Sequence, residues 1–301
     1  MFVIPANAKL NLCLAVRSRR PDGYHDIDSV AITIDWHDLV GLRLAACAET
    51  RVRLRLTGEE RLAPPGDDNL AARAAEAVAA VAGPLEIAVW LDKHVPGAAG
   101  LGGGSGDAAA VLRGCALLLA ARGGPLTGSA VHDGAAIRRL AASLGSDVPM
   151  LVAGGAQRMR GRGEHLSAVV VAAPLHLAVA VVGASSTAAT YAQVRPSDFE
   201  DESRGDAVAA ALEAGVRPGD DLLGSGLEAA ARRAAPALGE GLETLRLSVP
   251  AARWHLTGSG GGVFALAGSA AEATRLAAAA RAAGHAARAC RSVGGWRGAQ
   301  A

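Results

Sequence analysis

The sequence predicts an α+β protein of two domains, one spanning residues 1–160 and the other residues 161–301. Its 301 residues exceed the usual length of one simple domain and suit two modest ones. Strand-like runs alternate with helix-like runs, and near Gly161 the pattern changes to strands followed by a charged, irregular stretch. Half of the residues are hydrophobic, so a sizeable core can form.

Composition disfavours several classes of protein. The formal net charge is +1 and aromatic residues make up 3%, so nucleic-acid binding is not expected as the main activity. The four cysteines form no CxxC pair and are expected to be buried free thiols: Cys13, Cys47, Cys115 and Cys290. The first ten residues lack the basic region and apolar run of a signal peptide, so the expected location is the cytoplasm.

The first strand is predicted over "AKLNLCLAV", where two kinds of residue alternate. Three leucines fall on one face, and the other face carries Lys9, Asn11 and Cys13. Lys9 and Asn11 therefore point the same way. The segment Pro21-Asp22-Gly23 is a strong turn signal, so residues 24 and 25 follow a tight reversal of the chain.

Helices are predicted after two polar or glycine-rich segments. In "PPGDDNLAARAAEAVAAVAG", Asp68 or Asn69 caps a helix. A strand over "LEIAVWLDK" runs into a glycine-rich loop, and "GDAAAVLRGCALLLAARGG" forms a helix closed by glycines. A further helix ends at Gly145, and Asp147 lies between that helix and Pro149, with a strand beyond.

The second half begins with an uncharged segment, residues 168–184. Its valines, and the proline and histidine in its middle, favour two buried strands over a membrane-spanning helix. Helices are then predicted within "GSGLEAAARRAAPALGEGLETL" and "AAEATRLAAAARAAG". Between them, "LTGSGGGVF" joins two strand-like pieces, a pattern that a loose hairpin turn would also explain.

The glycine-rich stretch "VPGAAGLGGGSGDAAAVL" lies between a predicted strand and a predicted helix. Glycine N–H groups and a helix N-terminus together favour a polyphosphate, because no side chain blocks its approach. The stretch lacks the GxxxxGK[ST] of a P-loop, and Ser105 stands where a dinucleotide fingerprint needs glycine. A plain flexible linker is the alternative interpretation of this stretch.

Only two of the 30 basic residues are lysines, Lys9 and Lys93. This bias indicates that these two positions resist replacement by arginine.

Stretches in order along almost the whole chain resemble the GHMP kinases, whose ATP loop has the form P-x-x-x-G-L-x-S-S-A. The matching stretches are "ANAKLNLCLAV", "RRPDGYH", "DDNLAARAA", "KHVPGAAGLGGGSGDAAAVL", "LGSDVPML", "DDLLGSGLEAAARRAAPAL" and "LTGSGGGVFAL". "RRPDGYH" and "STAATY" resemble the segments with which members of the family bind a cytidine-bearing substrate.

The resemblance implies the two-domain GHMP kinase fold, with a ribosomal-protein-S5-domain-2-like N-terminal domain and a ferredoxin-like α/β C-terminal domain. The active site would lie in the cleft between them. The implied reaction uses ATP and Mg²⁺ to phosphorylate an alcohol on a small molecule. Asp147 would be the general base, and Lys9 would hold that carboxylate and neutralise charge on the transferring group. The metal ligands are left unassigned.

The resemblance also implies two sets of binding residues. The ATP-binding set is Asn69, Lys93, Pro96, Gly97, Ala98, Ala99, Gly100, Leu101, Gly102, Gly103, Gly104, Ser105 and Gly106. The substrate-binding set is Asn11, Tyr24, His25, Thr187 and Tyr191. Within it, Tyr24 and His25 would line the cytidine pocket, with His25 at the edge of the cytosine. Tyr191 would stack on the other face of the cytosine from these residues.

Two residues depart from the family pattern. Gly106 stands where a second loop serine is usual, which predicts retained but weaker ATP or metal binding, and Asn7 stands where proline is common. Two other functions stay open: a GHMP kinase for homoserine or a mevalonate derivative, and a non-catalytic nucleotide- or nucleic-acid-binding protein. No membrane association is expected, and the chain could be a monomer or a homodimer.

Overall fold

The computed structural model describes residues 1–58, 68–121 and 134–295. The strands are β1 Phe2–Arg19, β2 His25–Ala46, β3 Arg51–Gly58, β4 Leu85–Lys93, β5 Ala156–Gly161, β6 His165–Val169, β7 His176–Val181, β8 Gly224–Ser225, β9 His255–Leu256, β10 Gly262–Ala267 and β11 Ala286–Arg291. The α-helices are α1 Leu70–Ala82, α2 Gly103–Ala120, α3 Gly134–Leu144, α4 Val148–Ala153, α5 Thr187–Ala192, α6 Arg204–Glu213, α7 Glu228–Ala234, α8 Pro236–Ser248 and α9 Ala270–Ala282.

The strands form two sheets. The first has the order β3-β4-β2-β1-β8, with β5 paired to β2 and β6 paired to β5. The second has the order β11-β7-β10-β9. Most strand pairs in both sheets are antiparallel and each sheet carries helices on one face, as the predicted α+β class requires.

Helices cover the outer face of each sheet. Residues of α1, α2, α3 and α4 form one core cluster with β2 and β4. A second cluster lies between the sheets, because Leu10 and Leu12 of β1 pack there with Leu177 and Val179 of β7. A third joins the far face of the second sheet to α8 and α9. The hydrophobic spacing of the sequence therefore builds four layers.

The β1–β2 hairpin confirms the predicted reversal at residues 21–23. The Gly23 N–H donates to the Arg20 carbonyl (3.1 Å), and Gly23 has a φ of 85°, which glycine adopts without strain. Asn69 caps α1 by accepting from the Ala71 N–H, as one of the two predicted caps. The glycines expected to close α2 lie outside the described residues; α2 is described to Ala120.

Several elements differ from the sequence predictions. Asp147 is followed by α4 before β5 begins, and α6 begins at Arg204, within the last three residues of the stretch predicted to be irregular, residues 195–206. The long helix predicted near residue 235 is broken into α7 and α8 at Pro236, whose ring and missing N–H disfavour a helix interior.

Of the two buried strands predicted within residues 168–184, the second is confirmed as β7, whereas the first is wrong: residues 170–175 form no strand, and β6, which ends at Val169, is mostly exposed. β6 and β7 also belong to different sheets. Within the described ranges, no helix is long and apolar enough to cross a membrane. The predicted boundary near residue 160 stays a prediction; β6 and β8 lie beyond it and pair with the first sheet.

The cysteines are free thiols, as predicted. Cys13, Cys115 and Cys290 are buried, whereas Cys47 is only half-buried. Burial raises the pKa of the Cys13 thiol to about 11, which keeps it protonated and unreactive at neutral pH.

Candidate active site

A lysine and a carboxylate meet in a cleft whose main cavity measures about 650 Å³. Lys9 on β1 places its Nζ 3.4 Å from Asp147 Oδ2 and donates a 2.7 Å hydrogen bond to Asn11 Oδ1. The Asn11 side-chain amide in turn donates to Ser29 Oγ at 2.7 Å. Lys9 and Asn11 are buried, whereas the Asp147 side chain is 35% exposed and can reach a ligand. The predicted shared face of Lys9 and Asn11 is confirmed.

Cys13 does not share that face, although simple alternation predicts it. The β1–β2 pairing shifts register between Asn11 and Cys13, which is the signature of a bulge. Cys13 therefore packs in the same core cluster as Leu10 and Leu12, and Leu14 lines the cleft instead.

The cleft has two chambers that share one wall. The larger, of about 650 Å³, is lined by Tyr24, His25 and Tyr191 among others, and the smaller, of about 320 Å³, follows the glycine-rich loop. Both are lined by Lys9, Ser105, Asp147, Thr187 and Ser259. The lysine–carboxylate pair therefore stands where the contents of the two chambers would touch.

The glycine-rich loop closes on β1 so tightly that side chains are excluded. Gly102 has a φ of 70°, and a Cβ placed on it would lie 2.9 Å from Lys9 Cγ. The Lys9 N–H donates to the Leu101 carbonyl (2.9 Å), which fixes the loop to the strand. Helix α2 begins at Gly103, three residues earlier than the sequence indicates, so its free N–H groups face the smaller chamber.

The glycine cluster at residues 258–262, within "LTGSGGGVF", packs on the glycine-rich loop that precedes α2. The sequence did not predict this contact. The Gly262 N–H donates to the Ala99 carbonyl at 2.7 Å, and a Cβ on Gly260 would lie 2.3 Å from the Gly100 nitrogen. The cluster does join the antiparallel strands β9 and β10, so the hairpin interpretation is also correct. At its tip, Ser259 Oγ lies 2.9 Å from Thr187 Oγ1.

Aromatic side chains line the larger chamber. The Tyr24 residue is 56% exposed, and His25 is buried. The His25 ring lies against Tyr191, with centroids 5.3 Å apart and planes at 32°. Two rings that enclose a base need a wider gap, so no base fits between His25 and Tyr191 as they stand. Burial and the nearby Arg19 charge lower the pKa of His25, which keeps the imidazole neutral and able both to donate and to accept.

Lys93 lines the smaller chamber but its amine is committed to carboxylates, and the Asn69 side chain caps α1. Lys93 is 1% exposed, and its Nζ contacts Asp38 and donates to Asp107 Oδ2 at 2.8 Å. Asp38 Oδ1 also accepts from the His94 and Val95 N–H groups (2.5 and 2.7 Å), where the chain enters the loop. Lys93 thus stabilises the base of the loop. Asp38 was missed because it lies 55 residues from Lys93, and Asp107 was missed although it lies in the same matching stretch as Lys93.

Gly106 faces away from the chamber. Its N–H donates within α2 to the Gly102 carbonyl (2.8 Å), and a Cβ on it would lie 2.7 Å from the Asn7 carbonyl oxygen. A hydroxyl at this position would therefore meet β1 before it met a phosphate. Asn69 and Gly106 are the two predicted site residues that line neither chamber.

Comparisons with known proteins agree on one family. The model of the GHMP kinases N-terminal domain matches residues 69–155. A 4-diphosphocytidyl-2-C-methyl-D-erythritol kinase from Pelotomaculum thermopropionicum is 39% identical over 212 residues, covering 70% of this chain and 69% of that protein.

Solved structures extend the comparison over nearly the full chain. A crystal structure of 4-(cytidine 5'-diphospho)-2C-methyl-D-erythritol kinase superposes with a TM-score of 0.79 at 33% identity, covering 97% of this chain and all of that one. A homoserine kinase from Cytophaga hutchinsonii superposes with a TM-score of 0.60 at 17% identity, covering 96% and 95%, which is a likeness of fold alone.

Proposed function

The chain belongs to the GHMP kinase family and, within it, to the 4-diphosphocytidyl-2-C-methyl-D-erythritol kinases, and on that premise we propose how its residues carry out the reaction. The enzyme transfers the terminal phosphoryl group of ATP to the 2-hydroxyl of 4-diphosphocytidyl-2-C-methyl-D-erythritol. The products are the 2-phosphate and ADP, and the reaction serves the non-mevalonate isoprenoid pathway. The meeting of two chambers at Lys9 and Asp147 is the observation that carries this proposal.

Asp147 accepts the proton of the substrate hydroxyl. An alcohol is too weak an acid to lose its proton beforehand, and in a loose phosphoryl-transfer transition state the base can take it late. Lys9 holds the Asp147 carboxylate at 3.4 Å and brings positive charge to the transferring oxygens. Asn11 fixes the ammonium by accepting one of its hydrogen bonds.

The smaller chamber holds the ATP phosphates. Residues 96–105 line it, and the N-terminus of α2 contributes unpaired N–H groups and the positive end of the helix dipole. Because Lys93 is engaged by Asp38 and Asp107, its part is to hold the loop and not to contact the nucleoside.

The residues that line the two chambers fit an Mg²⁺ ion that is bound mainly by ATP. Among the described residues, no three His, Cys, Asp or Glu side chains cluster closely enough to hold a metal. Mg²⁺ commonly uses one or two protein oxygens together with phosphates and water. Ser105, which lines both chambers, would supply such an oxygen. The bound ion would neutralise phosphate charge.

The larger chamber recognises the cytidine end of the substrate. Tyr24 and Tyr191 would offer aromatic faces, and the neutral His25 would bind the base edge. Homoserine and mevalonate derivatives carry no aromatic group, so this lining disfavours the other kinases of the family. The formal net charge of +1 disfavours nucleic acid as the ligand. The cytoplasm suits both the free cysteines and the need for ATP.

One assay tests the reaction. The protein is incubated with ATP, Mg²⁺ and 4-diphosphocytidyl-2-C-methyl-D-erythritol, and ADP release is followed. Homoserine and mevalonate serve as comparison substrates. Release that depends on the cytidine substrate is expected. Turnover of either comparison substrate alone would move the chain to another branch of the family.

A further inference from the structure

Tyr24 carries a cation over one face of its ring. The guanidinium carbon of Arg162 lies 4.9 Å from the ring centroid, within the range of a cation–π interaction. The two residues come from separate hairpins, since Tyr24 ends the β1–β2 turn and Arg162 lies in the β5–β6 turn. Both line the larger chamber.

Hydrogen bonds hold the backbone that carries Tyr24, but none of them involves its ring. The Tyr24 N–H donates to Asp22 Oδ1 at 3.1 Å. Arg20 contacts both Asp22 and Asp26, with its nearest oxygens at 3.2 and 2.9 Å. These bonds hold the turn, yet Tyr24 remains 56% exposed. The aromatic side chain itself therefore depends on a partner for its orientation.

The turn that carries Arg162 is equally well defined. Gly161 and Gly163 have φ values of 70° and 105°, and the Arg162 N–H donates to Glu164 Oε2 at 2.5 Å. Arg162 Nε lies 3.9 Å from Glu164 Oε1, so that carboxylate balances part of the charge. The guanidinium thus lies over Tyr24 from a turn that the Arg162–Glu164 hydrogen bond holds.

We propose that Arg162 is a positioning residue for nucleobase recognition: its guanidinium covers one face of the Tyr24 ring and leaves the other face for the pyrimidine base of the substrate. This rests on the proposed function. The cation fixes the ring before the base arrives, so less side-chain freedom is lost on binding. Arg162 acts through Tyr24 and does not touch the reacting atoms.

The expected effect is selective for one substrate. A change of about 1.4 kcal/mol in binding free energy alters affinity tenfold, so the free energy of an exposed cation–π contact corresponds to a two- to fivefold change in affinity. Arg162→Ala should therefore raise KM for the cytidine substrate about two- to fivefold. The value of kcat and the KM for ATP should stay within error. Arg162→Lys should recover part of the loss, because an ammonium also binds an aromatic face.

Arg160→Ala is the matched control. Arg160 lies on the same hairpin with its side chain 55% exposed, and it does not line the chamber. Its loss should leave both KM values unchanged. A decisive comparison repeats Arg162→Ala in a Tyr24→Ala background, where no further rise in KM is expected.

Calorimetric titration with cytidine 5'-diphosphate separates this inference from the proposed function. A two- to fivefold weaker Kd for Arg162→Ala, lost in the Tyr24→Ala background, supports the inference even if the enzyme fails to turn over. The inference is overturned if the wild-type protein does not bind cytidine 5'-diphosphate, or if Arg162→Ala binds it unchanged. It is also overturned if the effect persists without Tyr24, because Arg162 would then contact the ligand directly.

Discussion

Gly106→Ser tests how closely α2 approaches β1. The Cβ of the new serine would start 2.7 Å from the Asn7 carbonyl oxygen, a backbone atom that cannot rotate aside. Ordinary van der Waals contact begins at 3.4 Å, so the helix and the strand must separate by several tenths of an ångström. Overpacking of this kind costs about 1–3 kcal/mol, and removing a helical glycine returns about 0.5 kcal/mol. We expect the free energy of unfolding to fall by about 1–2 kcal/mol.

The displaced strand also carries the catalytic lysine. Asn7 is two residues before Lys9, and the β1–β2 register shifts between them. A shift at Asn7 would therefore move the Lys9 ammonium relative to Asp147, and kcat should fall while the KM for ATP changes little. The added hydroxyl is not expected to strengthen ATP binding.

Urea unfolding and steady-state kinetics measure both effects. Gly104→Ser is the matched control for stability, because Gly104 is exposed in the same helical turn and a Cβ there meets only Leu70 Cδ1, at 3.8 Å. It should unfold at or slightly above the wild-type urea concentration. The reasoning fails if Gly106→Ser has the wild-type stability and kcat, or if its KM for ATP drops.

Three further outcomes are expected. Asp147→Asn should lower kcat by about 10²–10⁴, the usual contribution of a general base, while equilibrium dialysis still detects ATP binding; wild-type turnover would exclude this role. Lys93→Met leaves Asp38 and Asp107 without their cation and should destabilise the fold by about 3–5 kcal/mol in urea unfolding, whereas an unchanged midpoint would show that the cluster adds no stability. Burial raises the pKa of the Asp107 carboxyl above its ordinary value, while Lys93 opposes the shift, so the folded state keeps its proton to a higher pH than the unfolded chain and stability should decline as the pH rises above the ordinary carboxyl range. Asp107→Asn should make the free energy of unfolding depend less on pH in unfolding curves recorded across this range. An unaltered pH dependence would argue against this role of Asp107.

Local patterns predicted the parts of the site that depend on one segment. The shared face of Lys9 and Asn11 follows from the two-residue period of a strand, and the Asn69 cap follows from its side-chain chemistry. The face of Cys13 was predicted wrongly, because a bulge depends on how the partner strand pairs. That pairing leaves no mark in the strand's own sequence.

Long-range contacts were the parts that sequence could not predict. Asp38 lies 55 residues from Lys93, and nothing in either segment signals their ion pair. Lys93 was expected to bind ATP because its sequence neighbours match a nucleotide loop, yet its buried amine pairs with carboxylates. The fold class was predictable because it needs only the types and order of elements.

The contact between the two glycine loops sets an order in time during synthesis. A nascent chain that has reached residue 250 already contains Lys9, Asp147 and the whole ATP loop. It lacks the Gly262 N–H that binds the Ala99 carbonyl and the backbone that covers Gly100. The glycine-rich loop therefore gains these backbone contacts only after β9 and β10 have left the ribosome. A chain that terminates early carries every catalytic group and still lacks a finished site.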